Sequence, residues 1–145
     1  MHRFFVTEQD RVDESQVLVV SQELLNQFVK VLRFKVSDKI VFLDNSGFEF
    51  ECEIAEMKMG CIVCKVLEKR ICLGELPFKL ILAQSILKNP DKFELVLQKG
   101  TELGVSEFWP IITERTERKF LFKVERMQRI LKEAAEQSGR AVIPK

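Results

Sequence analysis

Residues 48–54 read FEFECEI, and no other stretch of the chain constrains its fold so tightly. Phe48, Phe50, Cys52 and Ile54 alternate with Glu49, Glu51 and Glu53, so a period of two puts apolar side chains on one face and carboxylates on the other. A helix would mix the two sets around its circumference; a half-buried antiparallel strand separates them. KIVFL (39–43) and the turn residues DNSG (44–47) precede it, while the Met59-Gly60 turn and CIVCKVLEK (61–69) follow, which predicts a three-strand meander. QVLVV (16–20) adds a strand and RFFV (3–6) a fifth. SQELLNQFVKVL (21–32) reads as a helix, with Ser21 as N-cap and Leu24, Leu25, Phe28, Val31 and Leu32 at helical spacing. Residues 1–72 are therefore expected to form a small, closed or nearly closed β-barrel with one helix.

The period changes at ICLGELP (71–77), whose Gly74 and Pro77 mark a domain boundary. Strand FKLILAQ (78–84), helix PDKFELVLQKGTEL (90–103), strand EFWPII (107–112) and a helix over about 119–138 follow, then the start of a third strand in AVI (141–143). Asn89 is the expected N-cap of the first of these helices, with Pro90 at its first position and Gly104 just past its end. The second should bury Val124, Met127, Leu131 and Ala134 or Ala135. Phe48, Phe50, Phe93 and Trp109 fall at core positions. Alternating strand and helix implies parallel strands joined by right-handed crossovers, a layer that must be covered on both faces. Residues 73–145 hold too few elements for that, so the expectation is that they are the first part of a larger α/β domain. The class is α/β, α+β overall.

Composition excludes little. Twenty-three Lys and Arg against twenty-two Asp and Glu give a net charge of +1, so a basic surface for nucleic acid must come from local clustering. Cys52, Cys61, Cys64 and Cys72 include a C-x-x-C pair, but Cys64 sits inside the apolar run CIVCKVL and Cys52 on a strand face. They are read as reduced core thiols, and no metal site is expected. The start, MHRFFVTEQDR, lacks an apolar leader, and no run approaches the ~18 apolar residues of a membrane span. A cytoplasmic protein without a membrane partner is the expectation.

More specific are five motifs in order: RFFV (3–6), KVLRFKVSDKIVFLDNSG (30–47), LKNPDKFELVLQKGTELGVSEFWPI (87–111), ITERTERK (112–119) and EAAEQSGRAVIP (133–144). Together they resemble the small-subunit ribosomal RNA methyltransferase E family. The resemblance implies a PUA-like RNA-binding barrel over residues 1–72, followed by the first half of a SPOUT, trefoil-knotted α/β domain. It also implies an S-adenosyl-L-methionine-dependent homodimer that methylates N3 of a uridine in the 16S rRNA of the small ribosomal subunit. The family's cofactor motifs, a glycine-rich I-G-P-E-G-G-type turn and an L-G-x-x-I-L-R-x-E-T stretch, are expected beyond Lys145, so the alternative reading is a truncated, non-catalytic RNA-binding module. Two positions depart from the family pattern. Gln27 replaces a common histidine before KVLR, and Gly100 stands where Ala or Ser is usual.

On that resemblance, Arg3, Lys30, Arg33, Lys35, Lys88, Arg115 and Arg140 are the RNA-binding candidates. Arg33 is favoured because a guanidinium can grip phosphate with two parallel bonds. The competing reading for Lys30, Arg33 and Lys35 is a solvated rim at a helix end. Lys88 follows the C-terminal end of a parallel strand, where ligands of open α/β sheets bind, and Arg115 follows the next one. Lys92, Gln98, Glu102 and Gln137 are cleft-lining candidates, with Glu102 equally able to pair with Lys99 on an exposed helix face. Arg140, with Glu133 and Gln137, can belong to a buried polar network or face the cleft. No catalytic residue is assigned: His2, the only histidine, lies at the expected flexible N-terminus.

Overall fold

A computed structural model describes residues 1–116 and 123–145, in two units, Met1–Cys72 and Leu73–Lys145. The first unit is a six-stranded curled sheet built from β1 (Arg3–Phe5), β2 (Arg11–Val12), β3 (Gln16–Val19), β4 (Lys39–Leu43), β5 (Phe48–Lys58) and β6 (Cys61–Ile71), in the order β1-β4-β5-β6-β3-β2. Only β1 and β4 pair in parallel. The meander β4-β5-β6 is present, and β5 continues well past FEFECEI. Register shifts at Glu51/Cys52 and Ile54/Glu56 interrupt the β5–β6 ladder, and such bulges bend a strand and increase its twist. The sheet curls around Phe4, Val17, Phe42, Phe50, Ile54 and their neighbours rather than closing its ladder, because the order begins on β1 and ends on β2.

The helix of this unit differs from its sequence pattern. Regular α1 (Gln22–Asn26) gives way to a π-helical turn over Gln27–Val31, closed by the Leu32 N–H donating to the Gln27 carbonyl at 2.9 Å. The wider turn keeps Phe28 fully buried but leaves Val31 71% exposed, although 3.6-residue spacing placed it on the apolar face. Ser21 occupies the N-cap position without capping: its hydroxyl donates to Asp10 Oδ2 at 2.9 Å. Asp10 also accepts from the Val20 and Ser21 N–H groups and from the Thr7 N–H and hydroxyl, all at 2.8–2.9 Å. One carboxylate thus joins the loop after β1 to the head of α1.

The second unit pairs β7 (Ile81–Ser85) with β8 (Glu107–Ile111) in parallel, connected through α2 (Pro90–Glu102), with α3 (Val124–Ser138) following. The Asn89 side chain accepts from the Asp91 N–H at 2.9 Å, with Pro90 in the first turn of α2. The start expected for the last helix, from about 119, falls on residues 117–122, outside the described residues. Gly139 ends α3 at φ 77, the left-handed conformation that glycine adopts without strain. Phe93 and Leu97 of α2, Leu131 of α3 and Phe108 of β8 share one core, so both helices cover the same sheet face.

That arrangement corrects two expected core positions. Trp109 follows Phe108 and therefore points to the opposite face, where it is 53% exposed beside exposed Ile81 and Ile111. Val124 is also exposed, leaving Leu131, Ala134 and Ala135 as the buried stripe of α3. The third strand is displaced too. The Ala141 and Val142 N–H groups are captured by Glu75 Oε1, both at 3.0 Å, instead of entering a ladder. Ladder bonding starts at Lys145, whose N–H donates to the Ser106 carbonyl (3.1 Å) and whose carbonyl accepts from the Phe108 N–H (2.7 Å). This is the bonding of a parallel neighbour. It lies on the edge of β8 away from β7, because the Glu107 N–H and Ile111 carbonyl are used on the β7 side.

Gly100 has a packing reason. A Cβ there would lie 2.6 Å from Phe108 Cε1, so the ring fills the space that Ala or Ser would need. Alanine is favoured over glycine by about 1 kcal/mol within a helix, but overpacking a core costs about 1–3 kcal/mol. Gly100→Ala should therefore be destabilising alone and stabilising in a Phe108→Leu background, and a double-mutant cycle by urea denaturation should show that coupling.

Acid stability gives a second test. Burial pushes the Asp10 carboxyl up, but hydrogen bonds from Thr7, Ser21 and Val20 together hold it below its ordinary value. Burial likewise raises Glu49, and Arg70 and Arg3 bring it below the usual glutamate range. Both depressed groups stabilise the fold fully above the ordinary carboxylate range and lose that contribution as pH falls towards their folded-state values. Asp10→Ala should cost about 2 kcal/mol at neutral pH in urea denaturation. Its stability should also decline less steeply on acidification than that of the unaltered chain.

Candidate nucleic-acid interface

The loop over residues 32–38, between the π-helical turn and β4, carries the favoured cations. It contains two non-glycine residues in the left-handed region, Arg33 (φ 55) and Ser37 (φ 76). Such conformations cost about 1–3 kcal/mol and persist only where surrounding contacts over-determine them. Here Phe34 is the anchor. Its N–H donates to the Phe28 carbonyl at 3.0 Å, and its ring packs edge-on to Phe28 at 5.4 Å and Phe4 at 6.4 Å. The Lys35 N–H donates to Asp38 Oδ2 at 2.7 Å, and the Ser37 N–H to the Ile54 carbonyl at 2.8 Å. With Phe34 turned inward, neighbouring Arg33 and Lys35 are exposed, as is Lys30. The loop is thus a rigid mount for solvent-facing cations.

Arg3 is engaged elsewhere. On the outer face of the sheet its guanidinium pairs with Glu49, which also binds Arg70, and Arg70 reaches Glu68 at 3.2 Å and Glu51 at 3.6 Å. FEFECEI is therefore amphipathic as its pattern requires, yet Glu49 on its polar face is buried beneath two arginines. The thiols of Cys52 and Cys64 face the core and are pushed up to about 12 by burial. Among the described residues no group of three or more His, Cys, Asp or Glu side chains can hold a metal ion.

In the second unit the candidates divide. Lys88 follows β7 and Arg115 follows β8, so both sit in loops at the C-terminal edge of the parallel pair, with Lys92 in the first turn of α2. These side chains are exposed. A hydroxyl cluster not foreseen from the sequence joins the end of β7 to the loop after β8: Thr116 Oγ1 lies 3.2 Å from Ser85 Oγ and 3.1 Å from Thr113 Oγ1, and accepts from the Thr113 N–H at 2.8 Å. The T-x-x-T spacing of TERT was its only signal, and ordinary turns share it. A crossover helix runs antiparallel to its strand, so Gln98 and Glu102 late in α2 lie towards the opposite edge, away from that loop cluster. Glu102 is bound to Lys99 at 2.8 Å. Gln137 is exposed near the end of α3.

Arg140 requires a correction. It is 2% exposed, with Nη2 2.7 Å from Glu75 Oε2, and Nη1 donating to the carbonyls of Val105 (2.6 Å) and Thr101 (3.2 Å). Its donors are spent inside the unit and cannot reach RNA. The buried network foreseen around it exists, but its partner is Glu75, distant in sequence, rather than Glu133 or Gln137. Removing one member of a buried pair leaves the other uncompensated and costs about 3–5 kcal/mol. Arg140→Met should accordingly destabilise the second unit by about 3 kcal/mol, read by hydrogen exchange, while leaving exchange in the first unit unchanged.

A Cβ at Gly74 would meet the Gly139 carbonyl, one at Gly100 the Phe108 ring, and one at Gly104 the Leu76 side chain, so these glycines are close-packed against the protein itself.

A curled sheet followed by a parallel α/β unit is a two-part architecture, and comparison with known proteins gives its class, the RNA methyltransferases. The RNA methyltransferase PUA domain family matches residues 28–66, and the RNA methyltransferase domain family matches residues 74–145. The chain belongs to the ribosomal RNA small subunit methyltransferase E family, with a PUA-like unit followed by the start of a SPOUT domain. It is 34% identical to the Bacillus subtilis member over 100% of this chain and 59% of that protein, and 33% identical to the Synechocystis member over 99% and 46%. The crystal structure of the Neisseria gonorrhoeae member bound to S-adenosyl methionine superposes with a TM-score of 0.83 at 28% identity, covering 99% of this chain and 59% of that one. A Legionella pneumophila structure with bound cofactor SAM gives 0.80, also at 28% identity, over 99% and 60%. The chain thus spans about 60% or less of these relatives. No helix among the described residues is long and apolar enough to cross a membrane.

Proposed function

We propose that this chain is the RNA-binding and N-terminal catalytic-domain portion of an enzyme that methylates uridine N3 in the 16S rRNA of the small ribosomal subunit, using S-adenosyl-L-methionine and working as a homodimer. One observation carries this reading: the similarity to a small-subunit methyltransferase covers both units, the curled sheet and the parallel pair. The part of the curled sheet is to hold RNA through the cations of the 32–38 loop, since phosphate contacts set register and supply most of the affinity. Lys88, Lys92 and Arg115, exposed at the C-terminal edge of the parallel pair, are the candidates for contact with the target nucleotide. Uracil N3 carries a proton at neutral pH, so transfer to it needs that proton removed and the base held in line. No side chain among the described residues is assigned the base.

The alternative is a truncated, non-catalytic RNA-binding module. One experiment separates the two. Mass spectrometry of digested small-subunit rRNA from cells lacking the gene should show loss of one N3-methyluridine, restored by a plasmid copy. Unchanged N3-methyluridine would refute the enzymatic reading, as would loss of a methyl from ribose, from carbon 5 or from a purine. A copy carrying Arg33→Glu should restore the mark incompletely.

A further inference from the structure

His2 is the only histidine, and the sequence places it at a flexible end. The structure does not. Its carbonyl accepts from the Val41 N–H at 3.0 Å, which holds the residue in the β1–β4 ladder. Its ring stacks on Phe4 (centroids 6.1 Å apart, planes at 23°) and meets Phe34 edge-on at 5.6 Å. Phe4 and Phe34 in turn pack against Phe28, at 4.8 and 5.4 Å. Burial falls along this chain of rings: Phe28 and Phe4 are buried, Phe34 is half-buried and His2 is exposed. The imidazole is therefore a ring braced from beneath with its outer side in water. A π-surface already ordered before binding loses little conformational freedom when a ligand stacks on it.

We propose that His2 is a base-stacking residue of the RNA interface, an aromatic step beside the cations Arg33 and Lys35. This rests on the reading of the 32–38 loop as an RNA contact. The geometry is that of single-strand binders, in which cations track the backbone and exposed rings stack on successive bases. Arg33 and Lys35 flank Phe34 in the chain, and Phe34 touches His2, so phosphate-binding groups and the ring belong to one patch of the first unit. The occupant is an unpaired nucleobase, because bases within an RNA duplex already stack on their neighbours and offer no free face.

The experiment uses the full chain and an unstructured oligouridylate of about ten nucleotides, with fluorescence anisotropy across a salt series. Stacking releases no counterions, so His2→Ala should weaken binding about tenfold with the slope of log K against log salt unchanged. His2→Phe should restore the affinity. Arg33→Glu should lower affinity and slope together. An abasic ribose-phosphate oligomer should bind the unaltered chain as weakly as oligouridylate binds His2→Ala, and the variant should not distinguish the two RNAs. If His2→Ala binds oligouridylate as tightly as the unaltered chain, or lowers the salt slope, His2 is no stacking residue, even where Arg33→Glu behaves as expected. If the unaltered chain shows no salt-dependent RNA affinity, the reading of the loop fails as well. A melting temperature of His2→Ala within a degree or two of the unaltered chain ties any loss to the ring; one that falls far, with His2→Phe failing to restore binding, counts against the proposal.

Discussion

Backbone amides that leave water must find acceptors, and in both units side-chain carboxylates supply them where the ladders stop. Asp10 gathers the loop after β1 and the head of α1. Asp38 receives the Lys35 amide, and Glu75 receives two amides after Gly139 while binding Arg140. Among the described residues, no buried side-chain nitrogen or oxygen lacks a hydrogen-bond partner. These carboxylates tie down the segments they bind, and the loop over residues 32–38, held in part by Asp38, carries the candidate cations Arg33 and Lys35.

The strain at Arg33 and Ser37 follows from this. Two left-handed non-glycine residues within one short loop are tolerable because Phe34 packs against the core between them and because the Ile54 carbonyl of β5 accepts the Ser37 amide. In this backbone Arg33 and Lys35 are exposed on either side of an inward ring.

The parallel pair β7–β8 shows how topology sorts side chains of similar chemistry. Lys88 and Arg115 come to one edge because both follow strand C-termini, whereas Gln98 and Glu102 travel to the other with their helix. Arg140 lies close enough to the end of α2 to bind the Thr101 and Val105 carbonyls. Charge alone could not separate an exposed loop arginine from one that closes a core.

Much of the architecture was legible in the chain. FEFECEI specified a two-faced strand, the Asn89-Pro90 pair and Gly139 marked helix ends, and the change of period after ICLGELP separated meander from crossover. Each is a local pattern whose physical cause acts within a few residues. What only the tertiary structure decided depends on partners distant in sequence: the π-helical turn that ejects Val31, the capture of Ser21 by Asp10, the outward face of Trp109, the burial of Glu49 under Arg3 and Arg70, and the pairing of Arg140 with Glu75. An ionisable side chain reads alike in sequence whether water or a buried partner satisfies it. The choice is made when folding brings that partner within hydrogen-bond distance and excludes water from both.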